Sequence, residues 1–499
     1  MISRRHTIFW WALVALFLFP YVFSLLISSG ALRLPADFFE LCMRSFSQAL
    51  VSTLLTIVLG ILGAAFLVKS ASNARRLSWW EGLALLPSIA PSSAMVFGFM
   101  DLFPNFRGVW AVTAAHALIS MGFVSVILSR AIRERIGASL ELAWVEGASQ
   151  WMMWRRAILP SLKSDFFAVF VTIFFSSLAS FSVPLLLGGS QAVTFETAIH
   201  YAIRLENAWD IAAALSIFQL ALLVSAVALV RFGRQDEAVF LRHIARHKES
   251  VSRAGIGRVV GSFTGLPVVV FGSAVVLFSI LRHPFEGWAQ LKTSGLLETT
   301  DTLWLALQGG LATSTLAGVL TSSLLMIFAF TYPSDSKMRW MSAYVAPSTA
   351  ITGFATLAIG WGQAPSFFWD VLRIAVGAAF LFAPVLWRLR WETELRQMNG
   401  QIQVARTLGA NHKLISLRVL LPQLWPTFFW SGGLVSFWMW GDYALGSIAA
   451  SRSMTIGMLA KSLMESYRLE AASLVLAFSL VAGAISYRLF TLGGVRVGR

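Results

Sequence analysis

The sequence predicts an all-α, polytopic membrane protein of about twelve transmembrane helices, arranged as two parallel six-helix repeats. Three observations predict it. Of 499 residues, 57% are hydrophobic and only 13% charged, a balance foreign to ordinary soluble domains. Apolar runs of about 20 residues, the length that crosses roughly 30 Å of hydrocarbon, recur along the chain. A polar, basic stretch between such runs also occurs twice. The first copy runs Leu140-Glu141-Leu142-Ala143-Trp144-Val145-Glu146-Gly147, then nine residues, then Ala157-Ile158-Leu159-Pro160. The second runs Gln403-Val404-Ala405-Arg406-Thr407-Leu408-Gly409, nine residues, then Val419-Leu420-Leu421-Pro422. Gly147 to Gly409 and Pro160 to Pro422 are both offsets of 262, and repetition at a fixed period points to duplicated structural units.

Taken in order, the expected spans of the first half are roughly 7–29, 47–68, 79–101, 108–129, 166–188 and 208–230. Those of the second half are roughly 259–281, 303–330, 340–360, 370–388, 425–446 and 471–491. Each is expected to be a helix, because lipid offers no partner to exposed backbone N–H and C=O groups. The run from Thr7 to about Ser29 follows Arg4 and Arg5 as a signal peptide would. It is too long for a signal h-region and lacks a small-x-small cleavage site, so it is expected to stay as a first span. With the N-terminus inside, cytoplasmic segments and their flanks hold 29 of the 39 Lys and Arg residues and outside segments hold 10. That excess assigns both repeated loops and both termini to the cytoplasm.

The halves are then 1–230, with a cytoplasmic loop at 131–165, and 259–499, with its loop at 389–424. They are joined by a basic cytoplasmic linker, 231–258. His243 and His247 in that linker, four residues apart, could be ligands, but a basic helix over lipid headgroups is the simpler reading. The net charge of +15 belongs to membrane-flanking loops, which argues against nucleic-acid binding. The lone Cys42 excludes an internal disulfide framework and a cysteine metal cluster. The repeat reaches past the loops. Leu50-Val51-Ser52 and Leu55 echo Leu311-Ala312-Thr313 and Leu316, and Ala90-Pro91-Ser92-Ser93-Ala94 echoes Ala346-Pro347-Ser348-Thr349-Ala350. Prolines inside these spans imply kinks.

Within each loop, Ser139 and Asn399 are placed to cap a short helix, with Glu141 in its first turn. Gly147 and Gly409 end that helix, since glycine tolerates positive φ. Ser149 and Asn411 can cap a second short helix, and Pro160 and Pro422 stand where proline opens the next span. The expected product is a rigid elbow that turns the motion of a docked partner into tilting of the spans.

This pattern of EAA, three residues, G, nine residues and I-x-L-P resembles the signature of permease subunits of binding-protein-dependent ABC importers of type I. Glu141, Ala143, Gly147, Leu159 and Pro160 match it in the first copy, and Ala405, Gly409, Leu421 and Pro422 in the second. Leu142, Ala157, Val404 and Val419 depart from it, and Gln403 stands where Glu is usual. The resemblance implies that these loops are coupling helices docking on ABC ATPase subunits, in two copies, and that an extracytoplasmic solute-binding protein delivers the solute. It implies a multi-pass protein of a bacterial inner membrane, in contact with lipid. The chain has no G-x-x-x-x-G-K-[ST] phosphate loop, so ATP hydrolysis is expected on a partner. No catalytic residue, metal or cofactor is expected.

Intramembrane charge marks functional candidates. Asp442, in Phe437-Trp438-Met439-Trp440-Gly441-Asp442-Tyr443, has Ser180 as its counterpart at offset 262. Flanked by Trp438, Trp440 and Tyr443, it could meet a cation by charge and cation–π attraction, or it could instead bond a neighbouring helix. The stretch Leu187-Gly188-Gly189-Ser190-Gln191 through Ile199, with Gly441-Asp442-Tyr443, is similar to thiamine permeases. Thiamine or its phosphates are therefore the expected substrate, with iron(III) and polyamine permeases as alternatives. An ion-coupled secondary transporter is the rival from another class, and a membrane scaffold a second. The first would need embedded ionisable residues in which this chain is poor and gives the duplicated elbow no role, and the second would predict no stimulation of a partner ATPase by substrate-loaded binding protein.

Overall fold

The computed structural model describes residues 32–72, 74–133, 143, 145–232, 262–293, 300–331, 348–451 and 455–497. Among these there is no strand. The span expected at 7–29, nearly all of the 231–258 linker, Ser139 and Glu141 lie outside the described residues.

The chain opens with α1 (Phe38–Lys69), which carries Glu40 in its first turn and Lys69 in its last, each sign suited to its end of the helix dipole. It begins well before the apolar window at 47 that marked it in the sequence. The span expected at 79–101 is a bent pair, α2 (Ala74–Ile89) and α3 (Ser92–Leu102), turned through 90°. Pro91, at φ −52° and ψ 137°, stands at that break, where it lacks the N–H a continuing helix would use and turns the residue before it away from helical geometry. α4 (Val109–Ala131) follows.

The span expected at 166–188 is α5 (Lys163–Leu178) and a short α6 (Ser182–Leu187). Then come α7 (Phe195–Arg204), opened by a Thr194–Thr197 capping box, and α8 (Trp209–Phe232). Next are α9 (Leu266–Leu281), α10 (Pro284–Thr293), α11 (Thr300–Thr331), α12 (Thr349–Thr356) and α13 (Phe367–Leu386). α14 (Glu392–Gln397), α15 (Asn399–Thr407), α16 (Leu421–Gly441), α17 (Ala444–Ala449), α18 (Ile456–Glu465) and α19 (Leu469–Val497) complete it. The span expected at 425–446 is thus interrupted at Asp442 and Tyr443.

Among the described residues, five helical stretches are long and apolar enough to cross a membrane: Phe38–Lys69, Val109–Ala131, Thr302–Phe330, Phe367–Gln397 and Leu469–Gly494. The pairs Arg75–Ile89 with Ser92–Leu102, and Trp151–Ser161 with Asp165–Leu178, raise the number to seven if each is one bent span. This is the architecture of a polytopic, all-helical membrane protein.

The helices fall into two packing units that do not follow the sequence halves. One comprises residues 42–193 and the described part of 225–282, which lies on both sides of the linker. In it α9 lies against α2, α3 and α4, and α6 against α3. The other comprises 32–41, 194–224 and 283 onward. Here α11, α16 and α19 pack side by side, and α7 lies on α12. The α11–α16 approach needs glycine: a Cβ on Gly318 would stand 2.6 Å from the Gly432 carbonyl oxygen. Close backbone approach of this kind substitutes for the hydrophobic drive that helices lack in lipid.

Candidate functional site

In the second elbow α15 ends at Thr407 and the chain reverses at Gly409, at φ +79°. The Gly409 N–H donates to the Arg406 carbonyl and the Ala410 N–H to the Ala405 carbonyl, both at 3.0 Å. This pair of bonds is the glycine-terminated helix end that satisfies two carbonyls which would otherwise lack partners. Ala405 and Ala410, both partly buried, pack against a larger buried core that includes Leu395, Met398, Ile402, Ile415 and Leu420. Asn411 then accepts from the Leu414 N–H at 2.8 Å and starts the short helix His412–Ile415. Asn399, expected to cap the first arm, is instead its first helical residue, with Met398 before it.

The first elbow repeats these features in its own unit. Gly147 holds φ +85°, and the Ala148 N–H donates to the Ala143 carbonyl at 3.0 Å. Ala143 and Ala148 pack on a core of Val68, Ala131, Ile132, Met153, Ile158 and Leu162. Ser149 accepts from the Met152 N–H at 3.3 Å. Each elbow then winds through one π turn, Trp154–Ile158 or Ser416–Leu420, directly before the proline-bearing turn. Pro160 and Pro422 sit at the start of their helices. Leu159, Pro160 and Pro422 are exposed, and Leu421 is half-buried. In the first elbow the helix breaks again at Leu162 before α5 begins.

The elbows are braced and their tips are bare. In the second, Gln423 donates to Gln401 across the two arms, Trp391 Nε1 donates to Ser431 Oγ at 2.8 Å, and Thr427 bonds Glu394. In the first unit, Glu81 of α2 receives Arg130 at 2.6 Å and Arg133 at 2.7 Å, which fixes the end of α4 where the elbow departs. The tips expose apolar side chains: Val145 (78%), Trp151 and Met152 in one, Val404, Leu408 (81%), Leu414 and Leu417 in the other. Gln403 is also exposed.

The residues expected along the solute path have several employments. Asp442 Oδ2 accepts from the Leu445 N–H at 3.2 Å, capping α17 after the break, and its carbonyl accepts from Thr455 Oγ1 at 3.4 Å. Trp440 is buried and donates to Ser486 Oγ at 2.8 Å, while Trp438 stacks obliquely on Phe382 at 4.9 Å. Tyr443 is 1% exposed. The two tryptophans therefore turn to different neighbours, α19 and α13. Ser180, in the other unit, occupies the break between α5 and α6, its N–H donating to the Ser177 carbonyl at 3.3 Å.

Sequence reasoning missed Glu81, whose signal was an acid inside an apolar span. It also missed Glu196 of α7. That fully buried carboxylate accepts from Gln219 Nε2 and from the Ala350 N–H at the start of α12. Burial pushes it up to about 7 from an ordinary 4.5.

Two curated proteins are similar to part of the chain. One is the thiamine transport system permease protein ThiP of Haemophilus influenzae, 25% identical over 186 residues, 34% of this chain and 34% of that protein. The other is ThiP of Escherichia coli K12, 27% identical over 198 residues, 35% and 36% respectively. Both are transport permeases. The chain spans about a third of the length of these relatives. No family model matches it, and no solved structure matches it.

Proposed function

We propose that this protein is the permease of an ABC importer for thiamine or its phosphates, residing in a bacterial inner membrane with both termini in the cytoplasm. Its two elbows receive two copies of a separate ATPase subunit, and an extracytoplasmic binding protein delivers the solute. ATP binding on the partners moves both elbows, the spans standing on them rock, and the solute passes between the halves. The permease itself performs no covalent chemistry.

The observation that carries this reading is the twin elbow. Glycine turns at positive φ, the bonds from Ala148 to Ala143 and from Ala410 to Ala405, and the π turns at Trp154–Ile158 and Ser416–Leu420 all stand 262 residues apart. Positive φ recurs at Asn207 and Tyr467, 260 apart, each just before a long helix. This agreement of backbone detail supports a fused pair of permease halves. The partial likeness to two thiamine permeases supports the transport class and the choice of thiamine.

The test is reconstitution with the cognate ATPase and binding protein. Hydrolysis stimulated by thiamine-loaded binding protein supports the proposal. Stimulation that is indifferent to thiamine, or that survives removal of both elbow tips, refutes it.

A further inference from the structure

The two elbows share a backbone but not a surface. Matched at the offset of 262, residues 141–156 carry Glu141, Glu146, Arg155 and Arg156 and balance to zero. Residues 403–418 carry Arg406, Lys413 and Arg418 with no acid, a charge of +3 with His412 neutral. All three of these cations are exposed. Among the described residues none of them forms an ion pair, whereas Arg390 and Arg396, just before them in the chain, pair with Glu394 and Glu392. Membrane topology does not explain the imbalance. The loops 131–165 and 389–424 hold five Lys and Arg each, so both meet the positive-inside bias equally.

Two matched positions agree. Met152 and Leu414 are exposed apolar side chains, and Arg156 and Arg418 are exposed cations. One kind of groove, with an apolar floor and an acid beside it, would accept this pair from either elbow. Three other positions trade an apolar group for a charge. Trp151, 71% exposed, stands where the second elbow has Lys413, while Glu146 and Arg155 stand where it has Leu408 and Leu417. These positions set how each elbow is held. A large aromatic anchor grips by burial, which salt leaves intact, whereas exposed cations grip by charge, which salt screens.

We propose that the two ATPase copies are held unequally. The first elbow holds its copy by burying Trp151, and the second holds its copy through Arg406, Lys413 and Arg418 against an acidic groove rim. The inference rests on the permease reading, in which the elbows receive ATPase subunits. It also gives Gln403 a role, since a glutamate there, as at the matched Glu141, would offset one of the three cations.

The test uses the full chain in lipid nanodiscs and the cognate ATPase subunit, purified separately, dye-labelled and free of nucleotide. Bound copies per chain are counted by photobleaching while salt is raised from about 0.1 to about 1 M, which shortens the screening length from roughly 10 to roughly 3 Å. The expected result is two bound copies at saturating ATPase and low salt, one of which weakens roughly tenfold across that range, the effect of losing three exposed ion pairs. The double variant Arg406→Gln, Lys413→Gln should weaken that copy at low salt already. Trp151→Ala should weaken the other copy at every salt concentration. Two copies that weaken equally with salt, or a salt-sensitive copy that the double variant leaves unchanged, overturn the inequality and leave the permease reading standing. Fewer than two copies at low salt, or two copies that survive removal of both elbow tips, overturn that reading and this inference with it.

Discussion

Replacing Gly147 and Gly409 by valine separates the elbow's geometry from its packing. The two residues hold φ of +85° and +79°, and a Cβ added at either would meet nothing within 4 Å. The β carbon of valine therefore meets no clash with the described residues at these positions. What it costs is backbone energy, roughly 1–2 kcal/mol for a side chain in the left-handed region. A difference of that size changes a two-state population roughly 5–30-fold. The bonds from Ala148 to Ala143 and from Ala410 to Ala405 depend on that turn, so the strain falls on the seat of each elbow. Asparagine, which visits the left-handed region more readily, is the matched control. In proteoliposomes carrying this chain with the proposed ATPase and a loaded binding protein, solute moved per ATP hydrolysed should fall about 5–30-fold in either valine variant. The asparagine variants should stay near wild type. Valine variants that couple as well as wild type would refute the argument, as would valine and asparagine variants that are equally impaired.

Other residues give sharper local tests. Glu81→Gln leaves Arg130 and Arg133 facing a neutral group at a site where Glu81 is 11% exposed. It should cost about 1–3 kcal/mol in detergent melting, and an unchanged melt would mean that the ion pairs do not hold α4. Asp442→Asn keeps an acceptor for the Leu445 N–H, so the α16–α17 break should survive and any rise in KM for a cationic solute reports charge alone. A KM equal to wild type confines Asp442 to its capping role. Glu196 binds its proton more tightly folded than unfolded, so the stability it contributes is greatest below pH 4.5. That contribution falls as pH rises from 4.5 to about 7, then stays level. Glu196→Gln should flatten this stretch of the melting-temperature profile, and a profile that is no flatter contradicts the assignment.

The parts of the molecule that were legible in its sequence are those set by local chemistry. Gly147, Gly409 and Asn411 could be read because a glycine helix end and an asparagine cap depend on a few neighbouring backbone atoms. The break at Pro91 was legible as a kink for the same reason, though not its 90° angle. Other features depend on partners distant in sequence. The π turn before each proline and the cap at Asp442 appear only once the flanking helices are packed. The assignment of 194–224 and of the described part of 225–282 to their packing units is likewise non-local. It depends on which apolar faces meet, and neither hydropathy nor periodicity carries that information. Glu196 was invisible because its partners, Gln219 and Ala350, lie 23 and 154 residues away.

The central claim is that motion enters this protein through its elbows from ATP spent elsewhere. It is tested most directly by uptake of radiolabelled thiamine into proteoliposomes, with the ATPase subunit supplied or withheld. The account predicts uptake only when the ATPase and ATP are both present on the elbow side of the membrane. Uptake by the chain alone, driven by an ion gradient, would contradict it.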